Sequence, residues 1–329
     1  MDRRIRIALD AMGGDYAPRE IVRGGVQAAR ELDINLVLVG ARERIEPELI
    51  EKTPAVEIVD TPDRIAFTEQ PAFALKTKPR ASIAIVNQLV RDGQADAAVT
   101  MGHTGAGMIS AMRTFGNIEG VHRPAIAVPY FKLHPNTIFL DAGLNVDCKP
   151  ENLAEFAVMG SVYAERVLGV PAPTIALMSN GREDNKGDAL TKAAFALIKD
   201  SALASRFIGN VEGYDLPRGT ANVVVCDGMW GNMMLKLSEA LSEELLSRLD
   251  SGITDSGSKA VVLEWKQKMD YAEIGAMPLL GVNGLTLIGH GRSRSAAVVG
   301  AIRQAIKCVQ VDLVEATREG IRQGLKVAA

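Results

Sequence analysis

The sequence predicts an α/β protein built on a largely parallel sheet covered by helices on both faces. Three observations predict it. Short aliphatic runs recur along the chain, segments of helical period separate them, and Gly- and Asp-rich loops follow most of the runs. Strands buried on both faces read as unbroken aliphatic runs, whereas strands of a half-exposed antiparallel sheet alternate.

Taken in order, the strand candidates are 5–10 (IRIALD), 34–40 (INLVLVG), 56–60 (VEIVD), 95–100 (ADAAVT), 125–130 (AIAVPY), 137–141 (TIFLD), 174–178 (TIALM), 222–227 (NVVVCD) and 285–290 (LTLIGH). Between them lie helical patterns. The one at 79–90 has Pro79 in its first turn and Gly93 past its end, and the one at 151–168 is entered through Lys149-Pro150. The stretch 247–273 differs. SRLDSGITDSGSKA reads as a polar break, and VVLEWKQKMDYAE as a short amphipathic helix with Trp265 and Met269 on one face. It is expected to be a helical excursion from a single two-lobed unit spanning 1–329.

Composition narrows the function. The 329 residues carry 37 Lys+Arg against 40 Asp+Glu, a net charge of −3, which argues against an electrostatic nucleic-acid footprint. With 47% hydrophobic residues the chain is not disordered, and 5% aromatic residues supply no stacking platform for bases. Cys148, Cys226 and Cys308 are far apart and odd in number, so neither a disulfide framework nor a zinc site is indicated. The start, MDRRIRIALDAMGGD, lacks the apolar run of a signal peptide. The charge-free stretch 274–291 reaches the length of about 18 residues at which a membrane span is considered. Gly275, Pro278, Gly281, Asn283, Gly284 and Gly289 exclude a continuous lipid-facing helix there. The chain reads as soluble and cytoplasmic, and this stretch as one buried strand between two loops.

In a parallel sheet, ligands bind beyond the carboxyl ends of the strands. The loops expected there are Asp10–Asp15 (DAMGGD), Thr100–Gly107 (TMGHTGAG), Asp141–Asn145, Asp227–Asn232 before a helix carrying Lys236, Gly281–Gly284 with His290-Gly-Arg292, and Ser179–Gly187 with Lys186. Glycine at a helix start lets backbone N–H groups approach an anion, and the helix dipole favours negative charge. One such loop is an ordinary turn. Five or six on one edge read as an anion site, with Thr104 as the cap of its helix.

The titratable groups have plainer alternatives. His103 and His290 lie in these loops and could solvate or cap as well as catalyse, whereas His122 and His134 read as surface residues. Lys236 falls one turn after Asn232 and shares its face. Asp10, Asp15, Asp141 and Asp227 could together hold a metal, yet acidic residues at strand ends also cap and turn. No His/carboxylate pair at i, i+4 fixes a ligand face, so no metal is assigned. Cys226 lies in an apolar run, and Cys148 has no base beside it in sequence.

DAMGGD, the TGA loop, LDxGxN followed by VDCKPENL, IGNVEG, VVVCDGxxGNxxLK and PLLGVNGLTLIGHG together resemble the phosphate acyltransferases of bacterial phospholipid synthesis, over about residues 5–305. The resemblance implies an isopropylmalate-dehydrogenase-like or phosphotransacetylase-like fold and a homodimer working at the cytoplasmic membrane surface. It implies acyl carrier protein and inorganic phosphate as substrates, no cofactor, and a membrane-bound glycerol-3-phosphate acyltransferase as consumer of the acyl phosphate. TMGHTGA places His103 where the family commonly has Asn.

On that resemblance, roles are expected as follows. Lys186 with the backbone of Gly13, Gly14, Gly105 and Gly107, beside Thr104, holds phosphate. Asn232, Asn283 or His103 donates to the thioester oxygen, and His290 or Asp227 orients phosphate or carries its proton. Asp10, Asp15, Asp141, Asn145, Gly228 and Lys236 complete the substrate surface. Phosphate is already anionic near neutral pH and needs positioning and partial desolvation more than deprotonation. A thiol of pKa near ~8.5 leaves with little acid help. The demanding element is the tetrahedral oxyanion, for which one well-placed donor contributes roughly 3–4 kcal/mol. Acidic acyl carrier protein requires a local basic dock, and Lys76, Lys78 and Arg80 or Arg292 and Arg294 supply one. The 247–273 excursion would touch a second subunit or the membrane through Trp265 and Met269. The rival readings are a metal- and NAD-dependent β-decarboxylating dehydrogenase on the same fold and a non-catalytic carrier-protein scaffold.

Overall fold

The computed structural model describes residues 3–49, 55–130, 134–269 and 275–325. The chain divides into two compact units, one from Met1–Glu119 and Ala272–Val314, the other from Gly120–Tyr271 and Glu315–Ala329. The first unit opens with β1 (Arg6–Asp10), α1 (Arg19–Glu31), β2 (Asn35–Gly40), α2 (Arg42–Ile45), β3 (Val56–Asp60), α3 (Pro71–Thr77), α4 (Ser82–Arg91), β4 (Ala97–Thr100) and α5 (Thr104–Phe115). The second contains β5 (Ala125–Ile126), β6 (Val128–Pro129), β7 (Ile138–Leu140), α6 (Pro150–Arg166), β8 (Ile175–Met178), α7 (Ala189–Lys199), β9 (Phe207–Val211), β10 (Val223–Val225), α8 (Gly228–Gly252) and α9 (Ser256–Met269). The chain then returns to the first unit with β11 (Ala276–Leu280), β12 (Thr286–Gly289) and α10 (Ser295–Gln310), and α11 (Leu313–Gly324) follows.

Within the first unit the strand order is β3-β2-β1-β4-β12-β11, parallel throughout except that β11 runs antiparallel to β12. Ile7, Ala8 and Leu9 of β1 and Ala97, Ala98 and Val99 of β4 are fully buried, as strands covered on both faces must be. Helix α1 approaches closely through two glycines. A Cβ at Gly24 would meet the Ser295 carbonyl of α10, and one at Gly25 would meet Leu9 Cδ2 at 2.7 Å. In the second unit the order is β6-β7-β10-β8-β9, with only β6 antiparallel, and Phe139, Val223 and Ile175 fill its interior.

The expected strands are present, several of them shorter, and 125–130 is divided into β5 and β6. Two strands are additional. β9 was not expected because Gly209, at φ +94°, interrupts its aliphatic run, and β11 because Pro278 sits in its middle. The charge-free stretch is therefore a hairpin, not one strand. Helix α4 begins at Ser82, so Pro79 lies in the turn after α3 rather than in a first turn. The polar break narrows to Ile253–Asp255, because α8 runs on for 25 residues and α9 starts at Ser256. Residues 270–273 of the excursion, with Ile274, lie outside the described residues.

Along α8, Met229, Met233, Leu237, Leu241, Leu245 and Leu249 are spaced four apart and each is half or more exposed. Leu241, Leu245 and Leu249 line a cavity of about 670 Å³ closed on the α9 side by Val262, Trp265 and Met269. No helix among the described residues is long and apolar enough to cross a membrane.

Candidate active site

The parallel order brings the carboxyl ends of β1, β3, β4 and β12 to one edge of the first unit, and with them four loops. The DAMGGD and TMGHTGAG loops touch. A Cβ at Gly13 would lie 2.6 Å from Asp10 Oδ2 and 2.8 Å from Gly102 N, so only glycine fits between them. The β12 loop joins through Asp15 N, which donates to the Gly291 carbonyl at 2.8 Å. Asp10 is buried, and its carboxylate accepts from Thr100 Oγ1 at 2.7 Å and Met12 N at 3.2 Å. Its role here is to fasten loops.

Burial raises the Asp10 carboxyl above its ordinary 3.8, against the lowering effect of its hydrogen bonds. A carboxyl with a raised folded value binds its proton more tightly folded than unfolded. Its contribution to stability is then fully present below pH 3.8 and lost as pH rises through the folded value. Asp10→Asn lacks this dependence. The stability of the variant relative to wild type should therefore improve as pH rises above 3.8 in urea titrations; a difference independent of pH would show that Asp10 titrates normally.

Helix α5 is capped by His103 rather than Thr104. Gly105 N donates to His103 Nδ1 at 3.1 Å, which puts the neutral ring's proton on Nε2. His290 makes the same kind of bond, its Nδ1 accepting from Arg292 N at 3.2 Å. Both rings thus accept a backbone N–H at Nδ1, which is the tautomer that carries its proton on Nε2. The expected backbone cradle is narrower than its glycines suggest. Gly13 N donates to the Asp10 carbonyl, and Gly107 N to the His103 carbonyl at 2.9 Å, with Gly107 packed on Ile288. Gly14, at φ +109°, remains half-buried at the edge, and Thr104 is exposed.

Asn283 does not join this edge. The Gly281–Gly284 turn leads directly into β12 and so lies at its amino-terminal end, where Asn283 N and Nδ2 donate to Gly116 and Asn117 carbonyls at 3.0 and 2.7 Å. A residue that the sequence did not signal takes part instead. Phe67, in the loop after β3, stacks on His103 with ring centroids 6.0 Å apart and lies over Gly291. That loop is held by Glu69, whose carboxylate accepts from Ala66 N at 2.8 Å and pairs with Lys78 Nζ at 2.7 Å. Lys78 is thus engaged in the loop, while Lys76 and Arg80 are exposed. Arg292 is exposed as well, and the Arg294 guanidinium lies 4.3 Å from the Tyr16 ring centre.

In the second unit, the loops after β7, β8 and β10 share the carboxyl edge. Asp141, fully buried, accepts from Ile126 N at 3.2 Å, Leu144 N at 2.9 Å, Asn145 N at 2.6 Å and Asn145 Nδ2 at 3.0 Å. The Asn145 amide also donates to the Pro124 carbonyl at 2.8 Å. Both side chains fasten their own loop to the segment 124–126. The start of α8 rests on that loop. Gly228 N donates to the Asn145 carbonyl at 2.8 Å, and a Cβ at Gly231 would collide with the Asp141 carbonyl oxygen. Asp227 caps α8 through Trp230 N at 2.9 Å. Asn232 is exposed above Gly143, and Lys236 pairs with Glu239 at 2.9 Å.

Lys186 is exposed and, among the described residues, forms no ion pair. Its stem crosses Gly181, and its loop is pinned on both sides. Gly187 N donates to Asn180 Oδ1 at 2.9 Å, Asn210 Nδ2 to the Glu183 carbonyl at 2.9 Å, and Arg182 pairs with buried Asp215 at 2.6 Å. Also in this unit, His122, Arg123, Asp147, Lys149, Glu151 and Asn152 line a cavity of about 330 Å³ with charges of both signs. His122 Nδ1 is bonded to buried Glu155 at 2.5 Å. No group of three His, Cys, Asp or Glu side chains suited to a metal occurs among the described residues.

The thiols are poor nucleophiles. Burial, with Asp141 and Asp227 nearby, pushes Cys148 up to about 12 and Cys226 well above its ordinary value.

Residues 5–316 match the family described as fatty acid synthesis protein. A phosphate acyltransferase of Desulforamulus reducens is 44% identical over 326 residues, covering 96% of this chain and 97% of the relative. One of Heliobacterium modesticaldum is 41% identical over 329 residues, covering 96% and 98%. Among solved structures, a phosphotransacetylase from Streptococcus pyogenes superposes with a TM-score of 0.62 at 18% identity, over 94% of each chain. A 4-hydroxythreonine-4-phosphate dehydrogenase from Klebsiella pneumoniae gives 0.53 at 12%, over 94% of this chain and 99% of that one. These structural likenesses show the shared fold alone. The sequence relationship goes further: the chain belongs to the fatty acid synthesis protein family and, within it, to the phosphate acyltransferases.

Proposed function

We propose that the chain transfers a fatty acyl group from acyl carrier protein to inorganic phosphate, supplying acyl phosphate to a membrane-bound glycerol-3-phosphate acyltransferase in phospholipid synthesis. The observation that carries this reading is identity above 40%, across nearly the whole of both chains, with phosphate acyltransferases. A phosphate oxygen attacks the thioester carbonyl, the C–S bond breaks, and the proton of the attacking phosphate passes to the departing thiolate. In the first unit, the Nε2–H groups of His103 and His290 are suited to donate to an oxyanion or to phosphate. In the second, Lys186 supplies a cation for phosphate and Asn232 a neutral amide donor. Asp227 and Asp141 hold the segments that position Asn232.

Attack is direct, without an acyl-enzyme, and the raised thiols support that route. The test is an acyl-phosphate assay with acyl carrier protein thioester and phosphate, trapping product with hydroxylamine. Wild type should form acyl phosphate, and Cys148→Ser and Cys226→Ser should keep at least half of its kcat. Loss of turnover in a folded serine variant would require a covalent intermediate, and phosphate-independent loss of thioester would remove phosphate as acceptor.

The carrier protein docks on Arg292 and Arg294, with Lys76 and Arg80 as additional exposed cations on the first unit. The apolar α8–α9 surface serves association, with a second copy in a homodimer. The chain acts in the cytoplasm, and its contact with the membrane is peripheral.

A further inference from the structure

Phe67 lies in none of the segments that the chemistry draws on, yet its ring contacts two of them. Its face is stacked on His103 at an interplanar angle of 17°, and a Cβ at Gly291 would come within 2.6 Å of its Cζ. Gly291 is in turn the acceptor for Asp15 N. A single ring therefore meets the β4 loop and the β12 loop, and through the latter the β1 loop. It does so while 46% exposed, on a chain with few aromatic residues, so burial alone does not account for its placement.

The His103 imidazole is held at two points. Its edge is fixed by the bond from Gly105 N, and its face by Phe67. A ring held only by its edge can rotate about the Cβ–Cγ bond, which swaps Nδ1 with Cδ2 and Nε2 with Cε1, breaks the cap, turns the Nε2–H elsewhere and leaves Nδ1 open to take the proton. Stacking removes that freedom. Preorganised donors are effective because they need no reorientation as charge develops. The Phe67 loop is itself fixed, through Ala66 N and Lys78 on Glu69 and through Lys78 Nζ on the Arg64 carbonyl at 3.2 Å.

We propose that Phe67 is a positioning residue for acyl transfer, clamping the His103 ring so that Nε2–H is directed outward from the carboxyl edge of the first unit. This rests on the reading of His103 as a donor in the proposed reaction. Lys78 and Glu69 act one step further back, by fixing the loop that carries Phe67.

The experiment pairs kinetics with nitrogen-15 NMR of the histidine ring in full-length wild type, Phe67→Ala, Phe67→Leu and Phe67→Tyr. Wild type should show His103 as a single Nε2–H tautomer at pH 8. In Phe67→Ala the ring should exchange between tautomers, and kcat should fall roughly 10- to 100-fold, the scale of a misplaced group, with KM for phosphate within twofold. Phe67→Tyr keeps the stacking face and should restore both the single tautomer and kcat to within threefold. Phe67→Leu stands in if the alanine variant does not fold. Retention of the single tautomer in Phe67→Ala overturns the proposal, and so does a fall in kcat without any change at His103. If wild type makes no acyl phosphate, the enzymatic reading fails, while the NMR comparison still decides whether Phe67 orients the ring.

Discussion

Replacing Lys186 with alanine is expected to lower kcat/KM for inorganic phosphate by about 100- to 1,000-fold, the range seen when one preorganised charge-stabilising group is lost. The melting temperature should not change. The two halves of this expectation come from one observation. The Lys186 ammonium is exposed and, among the described residues, in no ion pair, so folding does not depend on it. Its loop, in contrast, is fastened by Asn180, Asn210 and the Arg182–Asp215 pair, none of which involves the Lys186 side chain. The variant should therefore keep its loop and lose only the charge. Steady-state assays with phosphate varied at saturating thioester, alongside thermal unfolding, check both halves. A less than threefold change would remove Lys186 from the phosphate site, and a lower melting temperature would mean that the lysine is structural.

The second large effect concerns stability. Asp141→Ala should destabilise the chain by about 4 kcal/mol or more, because it leaves three backbone N–H groups without their acceptor at about 1–3 kcal/mol each. Those groups belong to Ile126, Leu144 and Asn145. Removing a buried carboxyl also relieves its own desolvation, which raises its proton affinity here, so the loss is smaller than the sum of the bonds. Asp141→Asn retains one acceptor oxygen and should cost less than the alanine variant. Activity should fall with stability, since α8 rests on this loop through Gly228 and Gly231 and carries Asn232. Urea unfolding of the two variants tests the order. A loss below 1 kcal/mol for Asp141→Ala would mean that water satisfies the three donors.

Much of this was legible in the sequence because buried parallel strands announce themselves. Ile7–Leu9, Val37–Val39 and Val223–Val225 are aliphatic on both faces, and each expected loop of glycine and aspartate follows such a run. Strand direction was not legible. That 276–280 pairs antiparallel with β12 is a tertiary fact that no local pattern encodes, whereas the separation of Asn283 from His290 was readable, since the two flank one strand. The cap of α5 was ambiguous for a different reason. Thr104 and His103 both carry acceptors, and the choice rests on the backbone at His103, which is extended, whereas Thr104 is already helical. Lys78 looked like a free cation because its partner, Glu69, lies beyond a helix, nine residues earlier. Phe67 had no signal at all, since a single aromatic residue in a polar loop has no period.

The noncontiguous first unit has a consequence for biosynthesis. Its β12 lies between β4 and β11 and is translated after the whole of Gly120–Tyr271. A ribosome adds about 5–20 residues per second, so the roughly 185 residues between Thr100 and Thr286 correspond to about 9 to 37 seconds. Throughout that interval β4 presents Ala97, Ala98 and Val99 as an open parallel edge, ready to pair with another nascent chain. The second unit can complete its sheet first, although it begins later. The vulnerable species during synthesis is thus the earlier half of the protein, waiting for a strand encoded near its end.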